Sequence, residues 1–193
     1  MIRIINTFQK ANLKVQALIS SISMGLYFWT SYILENSYLK SKFPVPYFIQ
    51  QTSFDAVKMK EWYAIMIQEN TLSTYFKTQL VDFVFILAVI IAGFTLWTFI
   101  SNLHPKNSWF RKSGYIFSIS LPLAGLFDIF ENIISFFMLA KPTEFANGLI
   151  IPYSTFASIK FGFWAIGLIW LLVSLLGLLI SKFRNKQTLV HQQ

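Results

Sequence analysis

Four ionisable side chains interrupt the long apolar runs of this 193-residue chain: Asp82, Asp128, Glu131 and Lys160. A charge in the middle of a lipid-embedded helix costs about 2.5–3.5 kcal/mol on insertion scales, so such residues are usually functional. The clearest signal is Leu121-Pro122-Leu123-Ala124-Gly125-Leu126-Phe127-Asp128-Ile129-Phe130-Glu131-Asn132. Here Asp128, Glu131 and Asn132 stand at i, i+3 and i+4 and project from one helical face. Gly125, Ser135 and Ser118 continue that stripe, and small and polar residues along one face mark a helix interface in a membrane. Pro122 predicts a kink one to two turns before Asp128.

Three carboxylates share one lysine, a formal excess of two negative charges. A buried excess does not persist ionised without compensation. Either Asp128 or Glu131 is then protonated at neutral pH, or a cation binds beside them. Three chemistries fit: a seat for a cationic group, general acid–base catalysis by a buried carboxyl with Lys160 stabilising negative charge, or a polar clasp that fixes helix register. Asp82 alone also reads as an exposed residue at the start of its helix.

The rest of the composition removes alternatives. There are no cysteines, so disulfides, thiolate metal sites and thiol nucleophiles are excluded. The two histidines, His104 and His191, lie outside the apolar runs, and His104-Pro105 reads as a helix end. No metal site and no cofactor is expected, and no phosphate-binding glycine motif or nucleophile elbow is present. Only 12% of residues are charged and 55% are hydrophobic, with 21 phenylalanines. Soluble domains carry about 25% charged residues. The net charge of +8 is read through its placement as topology, with the lipid bilayer and not nucleic acid as the partner.

The elements that must position these residues are four helices of about 20 apolar residues each, the length that crosses a hydrocarbon core. They are expected at about 13–34, 80–102, 114–140 and 154–181. The first is read as a retained span, since its apolar stretch is too long for a signal peptide. The short connections predict an all-α membrane protein, an antiparallel (up-down) four-helix transmembrane bundle forming a single domain. The flanks carrying Arg3, Lys10, Lys14, Lys106, Arg111, Lys112, Lys182, Arg184 and Lys186 hold no acid, whereas the other flanks mix both signs. The positive-inside rule then puts both termini in the cytoplasm of a cell (inner) membrane. The outer loop between the first two spans is expected to be partly helical. Ser53 is its N-cap, and Phe54, Val57, Trp62, Ile65 and Met66 lie near one face, packed on the bundle mouth or lying on the membrane surface.

Compatible stripes occur on the other spans: Gln16, Ser20, Ser23, Tyr27 and Thr30; Asp82, Val89, Ala92 and Leu96; Lys160, Trp164, Gly167 and Ser174. The tryptophans Trp29, Trp97, Trp109, Trp164 and Trp170 are expected mostly at helix ends or facing lipid.

The third-span segment, with Lys160 early in the fourth span and Tyr75 and Asp82 entering the second, resembles a group of small, uncharacterised bacterial four-span proteins with a D-x-x-E-N motif. The resemblance covers roughly the last 130 residues. It implies that Asp128, Glu131, Asn132 and Lys160 form one site, and it brings no activity with it. The expected function is a binding or transport-like role. A pocket open to the outer side holds a small cationic or amphipathic ligand against Asp128 and Glu131, between Phe-rich walls from the third and fourth spans. The alternatives are an intramembrane enzyme acting on a lipid-soluble substrate and a structural subunit of an envelope complex. A channel would require an oligomer.

Overall fold

The computed structural model describes residues 7–190, with side chains through residue 183. Arg3 and His191, and the side chains of Arg184 and Lys186, lie outside the described residues. All regular structure among the described residues is helical. The elements are α1 (Leu13–Ser41), α2 (Tyr47–Gln51), α3 (Ala56–Gln68), α4 (Leu72–Leu103), α5 (Trp109–Phe117), α6 (Ser120–Leu139), a 3-10 turn at Asn147–Leu149 and α7 (Ile150–Val190). Four segments are long and apolar enough to cross a membrane: α1, α4, Trp109–Leu139 and Asn147–Phe183.

Two helices outrun their apolar cores. α1 continues through Glu35, Asn36 and Ser37 to Ser41, because nothing in that stretch breaks a helix before Pro44. Lys42 ends it in the left-handed region at φ 53°, its N–H bonded to the Leu39 carbonyl at 3.1 Å. α4 begins at Leu72, not near Leu80, because Ser73, Thr74, Lys77, Thr78 and Gln79 are polar yet helical. Asp82 is therefore well inside α4.

The expected kink at Pro122 is a break. Proline has no N–H, so the carbonyl of Ser118 loses its partner four residues on. The chain interrupts the helix at Ser118 and Ile119, between α5 and α6.

α1 lies along α4, α4 along α6, and α6 along α7. The first contact is tied near both ends. Asn102 Nδ2 donates to Gln16 Oε1 at 2.9 Å, and the Ser37 and Thr78 hydroxyls bond at 2.7 Å. Ser23 and Thr95 bond at 2.8 Å between them. The α4–α6 contact is close because glycines face it. A Cβ on Gly93 would sit 2.4 Å from Leu121 Cβ, and one on Gly125 would sit 2.6 Å from Ile90 Cγ1. A Cβ–Cβ overlap is not relieved by a rotamer change, so Gly93→Ala must push the helices apart. We expect it to cost about 1–3 kcal/mol, read as a lower melting temperature of the purified protein. An unchanged melting temperature would contradict this close approach.

The segment between α1 and α4 folds over one end of the bundle. Tyr38, Phe43, Met59, Tyr63, Met66, Tyr75, Met138, Phe145 and Tyr153 form one buried cluster there. α3 departs from its expected cap and face. Phe54 takes φ 51°, and Asp55, not Ser53, caps the helix, accepting from the N–H groups of Val57 and Lys58 at 3.0 and 3.1 Å. Its buried face is Ala56, Met59, Tyr63 and Met66, while Phe54, Val57 and Ile65 are exposed. A sequence with apolar residues on several faces does not say which of them its neighbours cover.

The tryptophans also divide. Trp29 and Trp109 are exposed, as expected. Trp97 and Trp170 are buried and bonded: Trp97 Nε1 donates to the Gly167 carbonyl at 2.9 Å and Trp170 Nε1 to Ser113 Oγ at 3.0 Å.

Candidate functional site

The ionisable residues of α4, α6 and α7 converge. Lys160 Nζ lies 2.7 Å from Asp128 Oδ1 and 2.5 Å from Glu131 Oε2. All three are buried, with Glu131 fully so. The lysine does not extend outward to water; it bridges the two carboxylates on the stripe of α6. Burying ions costs several kcal/mol each, which only close pairing offsets.

Asn132, the third residue of the stripe, turns to α4. Its Nδ2 donates to Asp82 Oδ2 at 2.7 Å. Asp82 is 7% exposed, which overturns the reading of it as an exposed helix-start residue. The span is expected from about residue 80, whereas the helix begins at Leu72 and so encloses Asp82. Among the described residues Asp82 has no cationic partner within 4.0 Å, because Lys160 is held by Asp128 and Glu131. Asp82, the weakest candidate by sequence, is thus the carboxylate without a paired charge.

A cavity of about 460 Å³ opens beside this group. Its wall is formed by Ser31, Leu34 and Glu35 of α1, Tyr47 and Gln51 of α2, Asp82 and Phe85 of α4, Asp128 of α6, and Lys160, Phe161 and Trp164 of α7. Glu131 does not line it. Of the two carboxylates expected to line a pocket together, only Asp128 is on this wall; the other carboxylates there are Asp82 and Glu35. The expected Phe-rich walls are corrected too: Phe127, Phe130, Phe156 and Phe163 pack on one another, away from the cavity. The aromatic wall instead comes from Tyr47 of α2, Phe85 of α4, and Phe161 and Trp164 of α7.

Trp164 also borders a second, apolar cavity of about 240 Å³, with Tyr27, Val89, Leu96, Leu121 and Leu171 on its wall. The indole of Trp164 is thus a wall common to a cavity with polar groups and an apolar one.

Behind Glu131, polar side chains continue under the folded-over segment. Gln50, fully buried on α2, donates from Nε2 to the hydroxyl of Tyr75 and to that of Tyr153 at 3.1 Å. Glu131 Oε1 and Asn132 Oδ1 are buried without a hydrogen-bond partner among the described residues. Sequence reasoning missed Tyr47, Gln50 and Gln51, because a polar residue on a five-residue helix carries no periodic signal. Burial pushes the Tyr63 phenol well above its ordinary pKa, so it stays neutral.

His104 lies apart from this site. Its Nε2 is 2.8 Å from Ser174 Oγ, its ring stacks on Phe110, and burial lowers its pKa. Among the described residues no group of three or more His, Cys, Asp or Glu is placed to hold a metal ion. Comparison with protein families, with curated proteins and with solved structures yields no match.

Proposed function

We propose that this chain is a multi-pass protein of the cell membrane that binds an amphipathic molecule bearing a cationic group, in a binding or transport-like role. The observation that carries this reading is Asp82: a buried carboxylate with no paired cation, on the wall of a 460 Å³ cavity it shares with Asp128. A bound ammonium compensates that charge. The aromatic faces of Tyr47, Phe85, Phe161 and Trp164 suit a cation flanked by carbon. The adjoining apolar space receives the hydrocarbon part.

The spans form an antiparallel bundle in this proposal. The ties at both ends of the α1–α4 contact support it, since residues near the start of one helix bond to residues near the end of the other. Lys10, Lys14, Lys106, Arg111, Lys112 and Lys182 mark the cytoplasmic end, and the ligand enters from the opposite side. Membership of the D-x-x-E-N group of four-span proteins belongs to the same proposal.

The test offers dodecylammonium, dodecanol and dodecyl sulfate to the purified protein in a nonionic detergent, with retention read by native mass spectrometry. The ammonium should be retained well above the other two. Equal retention of the amine and the alcohol would mean that the carboxylates select nothing, and the proposal would fail.

A further inference from the structure

At the end of the bundle away from Asp82, a cavity of about 520 Å³ lies where the start of α1, the end of α4 and α5 meet. Its charged lining is Lys10, Lys106 and Arg111, with no carboxylate on its wall. Among the described residues none of these three cations has an ion-pair partner. Three like charges around one partly enclosed space repel one another, and a bound anion relieves that.

The site is also built. Arg111 donates from Nε to the Tyr115 hydroxyl at 3.2 Å and from Nη1 to the His104 carbonyl at 3.3 Å. Tyr115 donates to Asn102 Oδ1 at 2.6 Å. Asn102 in turn donates to the Gln9 carbonyl at 3.1 Å and to Gln16 Oε1 at 2.9 Å. This chain of bonds crosses three segments and holds the guanidinium in place, while leaving N–H groups of its five-donor fork free. Lys106, on the exposed turn after α4, and Lys10 add point charges from two other directions. Exposed Leu13, on the cavity wall, and exposed Leu103 and Trp109 lie at the start of α1, the end of α4 and the start of α5.

We propose that this cavity binds a phosphate group. A planar guanidinium flanked by lysines is the arrangement that takes phosphate oxygens in pairs. The phosphate comes either from the headgroup of an anionic phospholipid or from free phosphate, and the exposed apolar side chains around the site favour the lipid.

The test uses the purified full chain in a nonionic detergent. One arm compares phosphatidylglycerol with phosphatidylcholine of the same acyl chains, read by native mass spectrometry. The other measures the melting temperature with and without inorganic phosphate. Phosphatidylglycerol should be retained over phosphatidylcholine, and Arg111→Gln or Lys106→Gln should weaken that retention roughly tenfold, the scale of one charge-assisted contact. Lys112→Gln, which removes a neighbouring exposed lysine outside the cavity, should leave it unchanged. If only inorganic phosphate stabilises the protein, and Lys106→Gln abolishes the effect, the ligand is free phosphate. Loss of retention in Lys112→Gln to the same degree, or no response to either probe, would overturn the proposal. Should Arg111→Gln not fold, Lys106→Gln carries the test alone, since its side chain lies on an exposed turn. Alkylammonium binding reads the other end of the bundle, so either proposal can fail without the other.

Discussion

Replacing Lys160 with methionine is expected to destabilise the protein by about 3–5 kcal/mol, the cost of breaking a buried ion pair from one side. The reason is geometric. Lys160 Nζ is within 2.7 Å of both Asp128 and Glu131, and nothing else among the described residues offers either carboxylate a cation. Methionine has nearly the shape of the lysine stem, so packing is kept and charge is lost. The two carboxylates then face one another in a buried space, and at least one must be protonated or the helices must separate to admit water. Thermal unfolding of the purified protein, or its abundance in membranes, reads the effect. The triple variant Asp128→Asn, Glu131→Gln, Lys160→Met removes the charges together and should recover most of the lost stability. If Lys160→Met melted like the parent, the ion pairs would contribute nothing, and even a clasp role would be lost.

Asp82→Asn is expected to act on the ligand and not on the fold. The asparagine carbonyl still accepts from Asn132 Nδ2, so the link between α4 and α6 survives. What disappears is the negative charge on the cavity wall. A buried charge pair with a ligand is worth about 2–5 kcal/mol when one partner is truncated, so dodecylammonium affinity should fall by about thirtyfold or more. Glu131→Gln provides the contrast, since Glu131 stands behind the cavity and is committed to Lys160. That variant should lose stability and leave affinity nearly unchanged. The opposite pattern, with affinity following Glu131 and indifferent to Asp82, would sink the assignment of the ligand-facing carboxylate.

Much of the architecture was legible in the chain. Four apolar runs gave four membrane-length helical segments, the third broken at Ser118 and Ile119, and most of each polar stripe is buried: Gln16, Ser20, Ser23 and Thr30 on α1; Asp82, Val89 and Ala92 on α4; Asp128, Glu131, Asn132 and Ser135 on α6; Lys160, Gly167 and Ser174 on α7. Tyr27, Leu96 and Trp164 of those stripes are only half-buried. Hydropathy also misled in a regular way. It cut α1 and α4 short where their turns become polar, although polar residues propagate a helix as well as apolar ones do. That error placed Asp82 near a helix start and made it look dispensable.

The sequence by itself determined which residues are costly to bury, and hence that Asp82, Asp128, Glu131 and Lys160 had to find partners. Periodicity fixed the face of α6 from which Asp128 and Glu131 project. Only the tertiary structure decided the pairing. Spacing along one helix is local, whereas the separation between α4, α6 and α7 depends on glycines, on the break at Ser118 and Ile119, and on how side chains from different helices interlock. Those contacts gave Lys160 to Asp128 and Glu131, gave Asn132 to Asp82, and left the Asp82 carboxylate on the cavity wall without a paired cation among the described residues.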